Sequence, residues 1–325
     1  MRVLSGVKPT GTLHIGNYFG AIRQFVELQQ KYDGFYFVAD YHSLNSNPES
    51  SKLTSFTKDI IIDYMALGLD PDKSTIFLQS AVPEVLELAF LLSNVTNMGL
   101  LMRAHSFKDQ QAKGNLPNVG LFYYPLLMAA DILLYDSNYV PVGKDQKQHL
   151  EITRDIAIKF NELYDDDFFI LPEPIILEEV ALIPGTDGQK MSKSYGNTIE
   201  MFAPEKALKK QIMGIVTDST PLEEPKDPET CNVVKLFKFF ASTSEVDDMK
   251  AKYRAGNYGY GHAKLELFEA VKRYFDSARK KREDLAADPA KVAEILRRGS
   301  EKARAVAIPK IQRIKKKMGL VGNIY

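Results

Sequence analysis

The first 160 or so residues alternate strand-like and helix-like segments, and this alternation restricts the possible folds more than any other property of the chain. Arg2–Val7 is a short strand-like run that ends in the turn Lys8-Pro9-Thr10-Gly11-Thr12. Phe35–Val38 and Ser74–Gln79 are further apolar runs with aromatic or β-branched content, bounded by Gly, Asp or Pro. Between these runs, the stretch from about Ile15 to Lys31 and the stretch Ser51–Leu67 place apolar residues at helical spacing. A helix from about Leu126 to Tyr135, a short strand at Tyr139–Pro141 and a helix from about Lys147 to Asn161 continue the series. Strand, helix, strand, helix in this order predicts an α/β domain with a parallel, buried sheet.

After about Tyr195 the texture changes. Pro204–Val216, Val233–Ser242, Ser244–Tyr253, His262–Ala287 and Pro289–Met318 all carry helical periodicity with few strand-like runs. The expected division is an α/β domain over 1–195 and an all-helical domain over 196–325, with the last helix free to pack back on the first domain. The net charge of zero hides a split: residues 1–200 hold 16 Lys/Arg and 25 Asp/Glu, and residues 201–325 hold 26 and 17. A basic C-terminal part suggests a polyanionic partner, although solvation of helix faces would explain it equally well. Cys231 is the only cysteine, which excludes an internal disulfide or a thiolate metal cluster and fits a reducing cytoplasm. The N-terminal apolar run is too short for a signal peptide, and no apolar run approaches the length of a membrane span.

Two segments carry chemistry. Pro9-Thr10-Gly11-Thr12-Leu13-His14-Ile15-Gly16-Asn17-Tyr18 leads a strand through a glycine turn into a helix start, where unpaired N–H groups attract phosphate. Gly11 and Gly16 allow a nucleotide to lie against bare backbone, and His14 and Asn17 add side-chain donors. A structural turn with a satisfied histidine is the plainer alternative. The second segment, Gly188-Gln189-Lys190-Met191-Ser192-Lys193-Ser194-Tyr195-Gly196-Asn197, sets two lysines three residues apart on a glycine-flanked stretch that reads as a mobile loop. Two ammonium groups there can close over a triphosphate and follow charge to a pyrophosphate leaving group.

His14-Ile15-Gly16-Asn17 and Lys190-Met191-Ser192-Lys193-Ser194, in that order, resemble the two signature motifs of class I aminoacyl-tRNA synthetases. The resemblance implies a Rossmann-like catalytic domain followed by a helical anticodon-binding domain, and it makes His14, Asn17, Lys190 and Lys193 the catalytic candidates. The interval between the motifs leaves no room for a large editing domain, and side chains that need no editing include those of tyrosine and tryptophan. Gly16–Ala21, Tyr124 with Leu127–Leu133, and Val140–His149 are similar to the tryptophanyl branch of the family. Asp131 lies in an otherwise apolar helix, where a carboxylate requires a donor, a capping arginine or an exposed position.

In the family the matching aspartate accepts the indole N–H, with Met128 one turn earlier against the ring. The resemblance also gives Tyr124 and Gln146 to the substrate α-ammonium group. It gives Lys8, Pro9, Thr10, Gly16, Asn17, Gly143, Lys144, Asp145, Ala181 and the whole of Lys190–Ser194 to ATP. Lys8 stands where many bacterial members have Gln and Lys144 where many have Glu. Gln110 stands where an ATP-directed lysine is frequent, with Lys108 and Lys113 nearby. The implied ligands are L-tryptophan, ATP with Mg²⁺, and tRNA, in a cytoplasmic homodimer without an iron–sulfur cluster, a resident metal site or a membrane anchor. A tyrosyl enzyme, a small-molecule nucleotidylyltransferase and a non-catalytic RNA-binding paralogue are the competing readings.

Overall fold

A computed structural model describes residues 1–46, 48–104, 118–143, 146–165, 167–176 and 183–320. The chain forms two compact units. One comprises Met1–Gly11, Gln24–Glu178 and Leu285–Tyr325, and the other Thr12–Arg23 with Glu179–Asp284.

The first unit is built on five parallel strands, β1 (Arg2–Val7), β2 (Asp33–Val38), β3 (Ser74–Leu78), β4 (Tyr139–Val142) and β5 (Glu173–Ile176), in the order β3-β2-β1-β4-β5. All four expected strands match observed ones to within two residues. β5 is not legible in the sequence because Pro172 precedes its four residues and Pro174 interrupts them; a proline is tolerated there because β5 is an edge strand, paired with β4. The helices of this unit include α4 (Ser50–Ala66), α5 (Glu84–Ser93), α6 (Met98–Met102), α7 (Val119–Leu134) and α8 (Lys147–Tyr164). They are preceded in the chain by the short α1 (Ile15–Asn17), α2 (Arg23–Leu28) and α3 (Asp40–Ser43). α7 starts where the Asn118 side chain accepts from Leu121 N–H, and α8 stops at Asp165, whose φ of 46° is left-handed.

Phe35, Phe77, Leu88, Leu92, Leu126, Leu133, Ile156 and Phe160 join the sheet to these helices in one core, and Ala303, Ala307 and Ile314 complete it. The last three lie on α13 (Pro289–Lys317), which packs on β3, α5 and α7. Gly299 makes that approach possible, because a Cβ there would fall onto the Ile76 carbonyl oxygen. α13 thereby covers the free edge of β3, a place where an unpaired strand would otherwise invite association.

The charge split has a cause that the sequence did not disclose. Arg298 pairs with Asp72, Lys302 with Asp33, Arg304 with Glu84 and Lys315 with Glu87. Lys310, which is buried, pairs with Asp136 at 2.5 Å and donates to the Phe168 carbonyl at 2.8 Å. Much of the basic excess of α13 therefore answers acids of its own unit, and the polyanion argument passes to lysines elsewhere.

The second unit is helical among its described residues: α9 (Glu205–Met213), α10 (Asn232–Phe237), α11 (Thr243–Ala255) and most of α12 (Tyr260–Ala287). A reciprocal cap of Ser242 and Glu245 starts α11. Its core holds an aromatic cluster in which Phe19 meets Phe239 and Phe240 at 5.0 and 5.5 Å, and Tyr18 meets Phe275 at 5.1 Å. Tyr18–Ile22 is a π-helical turn, so the helix expected from Ile15 runs through a local distortion and stops at Leu28.

Candidate functional site

In an open parallel sheet the ligand crevice lies beyond the carboxyl ends of the strands, where strand order reverses. Here the order reverses between β1 and β4. Lys8, Pro9 and Thr10 follow β1, and Gly143 follows β4. His42, in α3, follows β2, and Gln79 follows β3.

Asp131 is neither a surface residue nor capped by an arginine. It is 3% exposed, on α7, and its carboxylate accepts from Gln79 Nε2 at 2.8 and 2.9 Å and from His42 Nε2 at 2.8 Å. Burial pushes its pKa up, and the bonds from His42 and Gln79 hold it back. One turn earlier, Tyr124 Oη donates to Met128 Sδ at 3.7 Å. The Tyr124 ring stands edge-on to His42 at 5.4 Å and to His149 at 5.0 Å. Lys8 Nζ lies over the same ring, 4.8 Å from its centre, and partial desolvation lowers the lysine pKa. Lys8, Tyr124, Met128 and Asp131 are thus gathered in one place. Gln146 donates its backbone N–H to the Gly143 carbonyl at 2.9 Å, in the turn between β4 and α8. Lys144, Asp145, Ala181, Lys108, Gln110 and Lys113 lie outside the described residues.

The other motifs meet within the second unit. His14 pairs with Glu200 as an antiparallel bridge, and Ile15 N–H donates to the Ile199 carbonyl at 3.0 Å. The Asn17 side-chain oxygen accepts His14 N–H at 3.1 Å. A Cβ on Gly16 would stand 3.0 Å from the His14 ring and 3.5 Å from Met191 Cβ, so the two motifs touch at the glycine. His14 is buried and its pKa is lowered to about 4, first by burial and then by the charge of Lys193. The imidazole is therefore neutral near pH 7 and has one ring N–H available to donate without carrying charge.

The lysine segment is more tied down than its glycines suggest. Asn197, buried, accepts Ser192 N–H at 2.7 Å and donates to Asp187 Oδ1 at 2.8 Å and to the Lys190 carbonyl at 3.1 Å. Ser192 and Ser194 hydroxyls are 2.9 Å apart, and Lys193–Tyr195 is a 3-10 turn closed by Gly196 at φ 65°. Lys190 and Lys193 are exposed. His42, Gln79 and Asn197 are the residues to which the sequence reading gave no role. The one signal is position: Gln79 directly follows β3, His42 lies in the short helix after β2, and Asn197 follows the Gly196 turn.

The family description "tRNA synthetases class I (W and Y)" matches residues 1–276. The tryptophan–tRNA ligase of Fusobacterium nucleatum is 60% identical over 324 residues, covering 100% of this chain and 99% of that one. A crystal structure of tryptophanyl-tRNA synthetase from Campylobacter jejuni, complexed with ADP and tryptophan, is similar with a TM-score of 0.94 at 52% identity, over 98% of this chain and 100% of that one. The enzyme from Mycoplasma pneumoniae is similar with a TM-score of 0.81 at 31% identity, over 98% of each chain.

Proposed function

The chain belongs to the class I tRNA synthetases that serve tryptophan and tyrosine, and on that premise we propose the assignment of roles that follows. The activity is that of a tryptophan–tRNA ligase. It activates L-tryptophan with ATP to tryptophanyl-adenylate, then transfers the tryptophanyl group to the 3′ end of tRNA and releases AMP. The observation that carries the choice of tryptophan is Asp131, a buried acceptor on an apolar helix. Indole offers one N–H, and a lone acceptor answers it. A tyrosine reader would need a donor together with an acceptor for the phenolic hydroxyl, and the donors of Gln79 and His42 already point at Asp131.

In the first step a tryptophan carboxylate oxygen attacks the α-phosphorus, and the bond to the β-phosphate oxygen breaks. Neutral His14 supplies a hydrogen bond to phosphate, and Asn17 holds the backbone at the start of that turn. The cations of Lys190 and Lys193 stabilise the pyrophosphate as it leaves. Met191, Ser192 and Ser194 shape the same segment. Tyr124 and Gln146 take the α-ammonium group, with Met128 against the ring. Lys8, Pro9, Thr10, Gly16, Gly143, Lys144, Asp145 and Ala181 are assigned to ATP. In the second step a terminal ribose hydroxyl of tRNA attacks the acyl carbon, and AMP departs.

Mg²⁺ enters as the counter-ion of ATP. Among the described residues no group of three His, Cys, Asp or Glu side chains is placed to hold a metal, and magnesium readily stays on substrate phosphates. We assign 1–195 to catalysis and 196–325 to anticodon binding, with α13 returning to the catalytic part. No helix among the described residues is long and apolar enough to cross a membrane; the reading places the enzyme in the cytoplasm with its tRNA. A homodimer is proposed on the exposed apolar side chains of Phe90, Met98 and Met102, on α5 and α6.

Pyrophosphate exchange measured with tryptophan and with tyrosine tests the reading. Exchange driven by tryptophan is expected; exchange driven by tyrosine alone overturns it.

A further inference from the structure

Reading an indole N–H requires an acceptor, and a buried carboxyl is an acceptor only while it keeps its charge. Burial pushes Asp131 toward its neutral form, which would present an O–H donor in place of a lone pair. Two side chains oppose this from separate elements. Gln79 Nε2 donates to both oxygens at 2.8 and 2.9 Å, and His42 Nε2 donates to Oδ2 at 2.8 Å.

The supports also hold each other. His42 backbone N–H donates to Gln79 Oε1 at 3.4 Å, which fixes the sense of the glutamine amide so that its nitrogen faces Asp131. Gln79 is 1% exposed, so its amide is held among protein groups. The ring closes because of sheet register: Val38 pairs with Leu78 on neighbouring parallel strands, so the residue after Leu78 meets the fourth residue after Val38. Three elements separated by 37 to 89 positions in sequence thus converge on one carboxylate. Among the described residues Oδ2 receives two donors, while Oδ1 receives Gln79 alone and keeps a lone pair for one more.

We propose that Gln79 and His42 are positioning residues for tryptophan selection, holding Asp131 as an oriented anion whose Oδ1 accepts the indole N–H. The proposal rests on the reading of Asp131 as the indole acceptor. Gln79 and His42 act through Asp131, so their loss removes the advantage of an indole N–H over an isosteric ring without one.

The test compares kcat/KM in pyrophosphate exchange for tryptophan and for 3-benzothienylalanine, in which sulfur replaces the indole N–H. A hydrogen bond to a charged acceptor gives the wild-type enzyme a preference for tryptophan of about 10- to 100-fold. In Gln79→Met that ratio is expected to fall at least about fivefold, with the loss mainly in KM for tryptophan. A second pair covers misfolding of that variant: His42→Leu is expected to lose the preference, and His42→Gln, which keeps a side-chain donor, to recover most of it. A merely structural role would lower both substrates together and leave the ratio in place. Asp131→Asn separates the two levels of the argument. If it abolishes the preference while folded Gln79→Met and His42→Leu keep it, the positioning role falls and the indole reader stands. If Asp131→Asn also keeps the preference, the indole reader itself is wrong.

Discussion

The ammonium of Lys193 and the imidazole of His14 are electrostatic neighbours, and the lysine charge adds to burial in lowering the histidine pKa from 6.5 to about 4. A histidine that resists protonation in the folded state makes stability depend on pH. Between pH 6.5 and about 4 the unfolded chain binds a proton that the folded chain refuses, so stability is fully present above 6.5 and is lost as pH falls through this window. Thermal melts over this range are expected to show a steeper loss for the wild-type protein than for His14→Gln. In Lys193→Met the His14 ring is expected to titrate higher, though below 6.5 because burial persists, as read from its imidazole proton shifts. An unchanged titration would separate the two residues.

Gly16 is the contact between the two signature segments. Alanine there would press a methyl to 3.0 Å from the His14 ring, and the buried ring would have to shift. Displacement of a phosphate-directed donor by even about 1 Å can cost on the order of 100-fold in rate. The ring need yield only a few tenths of an ångström, so Gly16→Ala is expected to lose activity in pyrophosphate exchange by less than about 100-fold, with a much smaller effect on Tm.

Gly299→Ala places its methyl on the Ile76 carbonyl, and neither backbone can yield cheaply. Overpacking of this kind costs about 1–3 kcal/mol, and an approach to backbone belongs at the upper end. Denaturant unfolding should show a lower midpoint. A midpoint equal to wild type would mean that α13 stands farther from β3 than described.

Phe90 and Met98 are 64% and 62% exposed, an unusual state for large apolar side chains on neighbouring helices. If the proposed homodimer uses this face, the wild-type protein sediments as a dimer and Phe90→Glu with Met98→Glu as a monomer. A dimer unaffected by both charges would move the interface elsewhere.

Because α13 spends its cations internally, tRNA affinity is expected to depend on exposed lysines of the helical unit such as Lys206, Lys209 and Lys210 on α9. Replacing one phosphate-contacting lysine reduces the slope of log K against log salt by about 1. Three glutamate substitutions that leave the slope unchanged would exclude α9 from the tRNA surface.

How much of this was legible beforehand depended on whether the information was local. β1, β2 and β3 and the long helices announce themselves through period and turn residues, and the two signature segments through their composition. Asp131 stood out because a carboxylate on an apolar helix needs an explanation. Its partners did not, since Asp40-Tyr41-His42-Ser43 and Leu78-Gln79-Ser80 say nothing until parallel crossovers bring them to α7. β5 was hidden by its prolines. The charge split is only partly legible for a related reason: sequence counts charges, but only the fold shows that Arg304 faces Glu84 and Lys310 faces Asp136.

The edge of β3 is closed by residues that follow it by more than two hundred positions. During synthesis at about 5–20 residues per second, β1, β2 and β3 emerge well before α13 does. For roughly ten seconds or more the nascent sheet carries an open, apolar border beside the ribosome. The last helix is then a late lid on an aggregation-prone margin. Ribosomes that stall just before Gly299 would release chains that hold both signature segments and all five strands of the sheet, yet leave that border bare.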